Sequence, residues 1–160
     1  GLRASLGGRR KGTGGMRRLL LICAAFGLTA CQPPADDTPG VFEPFNAARV
    51  ADAGCAFFAD GTDSQDQYMF ATRQGDPDHI ALAQFKGELL KLVPPAVPSF
   101  DGGALDITYD VLDYLNWKVR LQAEPTGQDA QSVGYDGSLT LSRDDSTITT
   151  RADIYGECRI

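Results

Sequence analysis

Leu105-Asp106-Ile107-Thr108-Tyr109-Asp110-Val111 and, five residues further on, Trp117-Lys118-Val119-Arg120-Leu121-Gln122-Ala123 place an apolar side chain at every second position. The positions between them are Asp, Thr and Asp in the first run and Lys, Arg and Gln in the second. A period of two is the signature of a strand with one buried and one wet face. If the two runs pair, Asp106 and Asp110 face Lys118 and Arg120 across the ladder and form a charged outer surface. The same alternation returns near the end, where Ile148, Thr150, Ala152 and Ile154 interleave with Thr149, Arg151 and Asp153. Leu139 and Leu141 lead into the polar turn Arg143-Asp144-Asp145-Ser146, so residues 135–155 read as a terminal hairpin. Tyr68-Met69-Phe70-Ala71-Thr72 is a further strand on β-propensity.

Residues 79–93 admit two readings. Leu82, Phe85, Leu89 and Leu92 stand at helical spacing, and Asp76-Pro77 can open a helix. Gly87, however, costs about 1 kcal/mol inside a helix and suits a turn between two strands. The neighbouring strand signals favour the hairpin. Residues 45–53 read as a two-turn helix capped by Asn46. The sum is an all-β domain, a small antiparallel barrel or sandwich of six to eight strands, with no parallel crossover and no internal repeat.

The charge is unevenly spread over the 160 residues. Residues 1–30 hold six of the 15 Lys and Arg and none of the 21 Asp and Glu, so residues 31–160 carry a formal net charge of −12. Nucleic-acid binding needs a basic stripe, which such a domain lacks. The cationic start is an address. Met16-Arg17-Arg18, the apolar run Leu19–Gly27 and Leu28-Thr29-Ala30-Cys31 have the three parts of a secretory signal. The apolar run is too short to span a bilayer, which takes about 20 residues.

Leu28-Thr29-Ala30-Cys31 resembles the lipobox of bacterial lipoproteins. The resemblance implies transfer of diacylglycerol to the Cys31 sulfur, cleavage after Ala30 and acylation of the new amino terminus. Two or three acyl chains hold a protein on a bilayer where one is marginal. Gln32 beside the lipidated cysteine resembles the outer-membrane sorting case, which places the domain facing the periplasm. Residues 1–15 add nothing a signal needs, and Met16 is the expected start. The expected organisation is therefore 1–30 as upstream segment and signal, 31–44 as lipidated cysteine and Pro-rich tether, and 45–160 as the β domain.

Of four cysteines, Cys23 leaves with the signal and Cys31 takes the lipid. Cys55 and Cys158 remain, in an exported and disulfide-permissive setting, and are expected to pair. Their bridge would join the start of the domain to its last residues.

Catalytic constellations are hard to find. His79 is the only histidine and follows a Pro-Asp turn, with no Gly-x-Ser-x-Gly elbow to serve. A zinc site would lack ligands, and the glycine-containing loops at 101–103 and 134–137 have neither the lysine nor the helix of a phosphate loop. Asp60, Asp63 and Asp66 are spaced loosely like a calcium loop, but Gly61 stands second where the EF-hand pattern puts its glycine sixth, and Ala71 stands twelfth in place of a glutamate. Asp106, Asp110 and Asp113 offer a glycosidase-like acid pair only if they escape Lys118 and Arg120. No cofactor, no metal and no catalytic residue are expected.

The layout of lipid anchor, small acidic β domain and terminal disulfide resembles the membrane-bound inhibitors of C-type lysozyme. That family carries a Ser-Gly-x-x-Tyr loop, whereas this chain has Ser132-Val133-Gly134-Tyr135 with different spacing, so no inhibitory residue carries over. The resemblance implies a small antiparallel barrel and a cationic protein partner, which the negative domain would steer. The expected function is a lipid-anchored, non-enzymatic binding or accessory module. The alternative is an inhibitor of a cationic enzyme such as lysozyme.

Overall fold

Alternating strands that bury one face can close on themselves, and here they do. The computed structural model describes residues 38–144 and 147–160. Eleven strands are formed: β1 Phe42–Glu43, β2 Phe45–Asn46, β3 Ala53–Ala59, β4 Gln67–Tyr68, β5 Phe70–Arg73, β6 Ala81–Phe85, β7 Glu88–Val93, β8 Leu105–Val111, β9 Trp117–Gln128, β10 Ser132–Arg143 and β11 Ile148–Arg159. Eight of them, β3 and β5 to β11, make an antiparallel up-and-down barrel in which neighbours in sequence are neighbours in space. A single non-sequential pairing, β11 with β3, closes it. The expected leader, Cys31 and the expected tether up to residue 37 lie outside the described residues.

Eight strands enclose a space that side chains can just fill. Phe57, Phe70, Phe85, Leu92, Tyr109, Val119, Leu121, Val133, Tyr135, Leu139 and Leu141 fill it and are all but inaccessible to solvent. Phe57, Phe70 and Tyr109 meet edge to face at 5.9 and 5.5 Å, and such pairs add about 0.5–1.5 kcal/mol each beyond the area they bury. Gly137 on β10 and Gly156 on β11 mark places where strands approach too closely for a side chain: a Cβ at Gly137 would meet the Gln122 carbonyl oxygen, and one at Gly156 the Ala56 carbonyl oxygen. Glycines of this kind let long strands coil around a narrow barrel.

The expected hairpin over 79–93 is present as β6 and β7. Lys86 and Gly87 turn it with φ of 49° and 75°, the two left-handed residues of a type I′ turn. Its helix-like pattern has a physical origin. Ala81, Ala83 and Phe85 point into the barrel, while Leu82 on the opposite face joins Phe45, Val50 and Ala71 in a second, smaller apolar cluster. A strand covered on both faces loses its alternation.

The cover over that face is the N-terminal segment, and here two expectations need correcting. The wall begins at Phe42, not Phe45: β1 pairs with the Gln84–Phe85 end of β6, along the edge that β5 occupies at Ala81–Leu82, and Pro39 is already buried. The two-turn helix over 45–53 is only a 3-10 turn, Ala47–Arg49, although Asn46 does cap it, its Oδ1 accepting the Ala48 N–H at 2.8 Å. β2 and β3 claim the residues on either side. The terminal hairpin is longer than expected, and Ile148 is 63% exposed, outside the core. β3 pairs with β11 only from Ile154 onward, so the first half of β11 lies beyond the closed wall. β9 runs on through Pro125 to Gln128; β8 begins at Leu105 opposite Ala123, so its pairing does not reach the proline, which lacks an N–H.

Cys55 and Cys158 face each other across the closing ladder and are bonded, 103 residues apart in sequence. This end of the barrel also carries the β5–β6 loop (74–80), the β7–β8 loop (94–104) and the C-terminus. The described chain enters at the other end, where the Lys86 Nζ donates to the Thr38 carbonyl oxygen at 3.0 Å beside the β6–β7 turn.

Candidate functional site

The acids of the alternating runs are neutralised in place. Register sets Asp110 opposite Lys118, and their Nζ and Oδ1 lie 2.6 Å apart. Arg120 donates two hydrogen bonds, of 2.7 and 2.6 Å, to the two carboxylate oxygens of Asp106. That fork holds the Asp106 carboxyl below the usual carboxylate range and raises Arg120 in turn, while Asp110 raises Lys118. A general acid needs the opposite perturbation, a carboxyl pushed upward. Asp113 sits apart in the β8–β9 turn with φ of 70°.

Asp60, Asp63 and Asp66 are exposed in the β3–β4 loop, which the Tyr155 hydroxyl pins by donating to the Thr62 carbonyl oxygen at 2.7 Å. Among the described residues no three His, Cys, Asp or Glu gather as metal ligands would. Tyr135, in the segment nearest to the inhibitor loop in composition, is 1% exposed on the inner face of β10 and cannot reach into another protein. Burial raises its hydroxyl, which faces the Gly102 backbone at the disulfide end. Tyr109, deeper in the barrel, is raised well beyond the ordinary tyrosine range, again by burial. The Tyr109 and Tyr135 hydroxyls and the Trp117 Nε1 have no hydrogen-bond partner among the described residues.

Several concave features stand on the outside, and two of them lie beside aromatic or cationic side chains. One is a shallow groove of about 240 Å³ lined by Phe58, Gln65, Gly134, Tyr155, Gly156 and Glu157. It ends an outward aromatic row in which Phe58 stacks on Tyr155 at 5.4 Å and meets Tyr68 edge-on at 5.5 Å. Adjacent Phe57 and Phe58 on β3 point to opposite faces, one into the core and one into this row.

The other is a cleft of about 180 Å³ at the disulfide end, lined among others by Gly54, Cys55, Thr72, Arg73, His79, Phe100 and Arg159. The β5–β6 loop makes one wall. Asp76 folds it by accepting the Asp78 N–H at 3.0 Å, and the His79 N–H donates to the Asp76 carbonyl oxygen at 3.2 Å. His79 thus takes a left-handed conformation, φ 52°, and lines the cleft. Thr72 Oγ1 accepts the Cys55 N–H at 2.9 Å and fixes the floor beside the disulfide. A Cβ at Gly54 would lie 3.1 Å from that oxygen, so the glycine keeps the floor open. Arg159, from the last strand, reaches Gln74 Oε1 at 3.3 Å.

Sequence reasoning found the disulfide but not the cleft, because its residues come from two strands, two loops and the C-terminal end. Comparison with family models, with curated proteins and with solved structures finds no match for this chain.

Proposed function

We propose that the chain is a lipid-anchored envelope protein, attached through acylated Cys31, whose barrel is a non-enzymatic binding module working through the cleft at its disulfide end. The observation that carries this reading is the filled interior: aromatic and aliphatic side chains occupy the space in which a larger barrel would carry cargo, which leaves the outer surface for recognition. Polarity supports it. An anchor upstream of residue 38 joins the domain beside the β6–β7 turn, so the cleft lies at the far end from the attachment.

Two measurements test the proposal. Labelling with a clickable palmitate analogue should mark the chain and be lost in Cys31→Ser; labelling that persists in that variant removes the anchor. Photo-crosslinking residues placed at Gln74, on the cleft rim, and at Leu115, 86% exposed at the entry end, should give a specific adduct in the envelope from position 74 only. Adducts from both positions, or from 115 alone, would refute the assigned end.

A second reading, inhibition of a cationic enzyme such as lysozyme, is favoured by the closed barrel with its first and last strands bridged and by the charge of −12 over residues 31–160. Failure of the purified chain to slow lysozyme at low salt would eliminate it.

A further inference from the structure

The nine Lys and Arg of residues 31–160 all lie among the described residues. Their partners divide them. Lys118, Arg120 and Arg151 are held by carboxylates, and Arg143 lies over the Trp117 ring at 5.3 Å. Arg49 and Lys86 are taken up by neutral oxygens, Gln84 Oε1 and the Thr38 carbonyl. Arg159 is likewise held by a neutral oxygen, Gln74 Oε1, while Arg73 and Lys91 have no side-chain partner among the described residues.

These three are neighbours. Arg73 and Arg159 line the cleft, and Arg73 and Lys91 line a smaller adjoining hollow of about 80 Å³ with Asp76, Ile80 and Leu82. In a domain with 21 acids against nine bases, these three cations have no carboxylate partner among the described residues and gather around two adjoining hollows. Asp76 borders both hollows as the one carboxylate, and its Oδ1 is committed to the Asp78 N–H. The floor is apolar, made by Phe100 and the disulfide, with Gly54 leaving it clear.

Resting on the reading of this cleft as the binding end, we infer that it is a carboxylate site: it takes a small monoanionic carboxylate with an apolar group, the charge between Arg73 and Arg159 and the apolar part on Phe100 and Cys55. Guanidinium groups match a carboxylate in planar, two-pronged hydrogen bonding. Phosphate dianions also suit arginine, but the field of an acidic domain opposes a ligand in proportion to its charge, and two charges are repelled twice as strongly as one. The small volume and apolar floor likewise favour a weakly hydrated anion with hydrocarbon attached over a fully hydrated one.

Calorimetric titration of the full chain in detergent with N-acetylleucine tests this, with N-acetylleucine amide as the neutral isostere and inorganic phosphate as the rival anion. The expected result is saturable millimolar binding of the carboxylate, roughly tenfold weaker for the amide and for Arg73→Gln and Arg159→Gln. Arg151→Gln, whose parent pairs with Asp153 away from the cleft, should bind like the parent. Near-UV circular dichroism of each variant confirms the fold, and a folded Arg73→Gln that binds normally refutes the site. Equal binding of acid and amide, no heat from the acid, or saturation by phosphate alone would each overturn it. If the titration fails while crosslinking at position 74 succeeds, the ligand class is wrong and the binding end stands; if both fail, the reading of the cleft falls with it.

Discussion

Replacing Cys55 and Cys158 together by alanine should remove much of the domain's stability. The bridge lies on the one pairing that joins strands distant in sequence, β3 to β11, and closes a loop spanning 103 residues. In the chain-entropy treatment a loop of about 100 residues contributes about 4.7 kcal/mol by restricting the unfolded chain. Domains of this size have only about 5–15 kcal/mol in total. At a urea slope of about 2 kcal/mol/M the midpoint should fall by about 2 M. Trp117, the sole tryptophan and buried in the barrel, gives the signal. Comparing the oxidised parent with the same chain reduced isolates the cross-link, since the buried sulfur atoms stay in place. A loss below about 1 kcal/mol at an unchanged slope would refute the reasoning, because it would mean that the unfolded chain gains no freedom when the bridge is gone.

Three further outcomes follow from the described geometry. Gly137→Ala should cost about 2–3 kcal/mol in urea unfolding, since its methyl group collides with the Gln122 carbonyl and the Ala123 backbone of β9. Gly87→Ala should cost about 1 kcal/mol through its φ of 75°, although a Cβ there meets no atom, which separates backbone strain from crowding. Tyr109→Phe should change stability by less than about 1 kcal/mol at neutral pH, because the hydroxyl it removes has no partner among the described residues. Above pH of about 10 the parent should weaken relative to that variant by about 1.4 kcal/mol per pH unit. Tyrosine ionises there when unfolded, whereas burial raises Tyr109 in the folded chain, so its contribution is complete below the unfolded value and is lost as pH rises. Parallel curves for parent and variant between about pH 10 and 11 would contradict this.

The legible parts of the fold were those where one face meets water. Leu105–Val111 and Trp117–Ala123 alternate because β8 and β9 have an exposed outer face, and their charges even foretold the Asp110–Lys118 pair. Ala81–Ala83 did not alternate, because Leu82 lies beneath the N-terminal segment, and that cover depends on contacts far along the chain. Ile148 obeyed the period yet stays wet, since alternation reports pleat and not the reach of the neighbouring strand. Phe42–Glu43 was too short to signal a strand among prolines. The cleft was illegible for a different reason: Arg73, His79, Phe100 and Arg159 carry no shared spacing and meet only when the barrel closes.

That closure has a consequence for how copies of the chain meet one another. Every other pair of neighbours in the barrel is joined by the stretch of chain between them, so the β3–β11 seam is the one place where the wall can part without disturbing a connection between consecutive barrel strands. A parted seam exposes two complementary edges, the β11 edge of one molecule fitting the β3 edge of the next. Cys55 and Cys158 then stand at the same register between molecules as within one, and oxidation at that moment would lock a strand-exchanged pair or a longer chain of copies. The bridge that fastens the monomer is thus also its safeguard against polymerisation, provided that it forms before two open molecules meet.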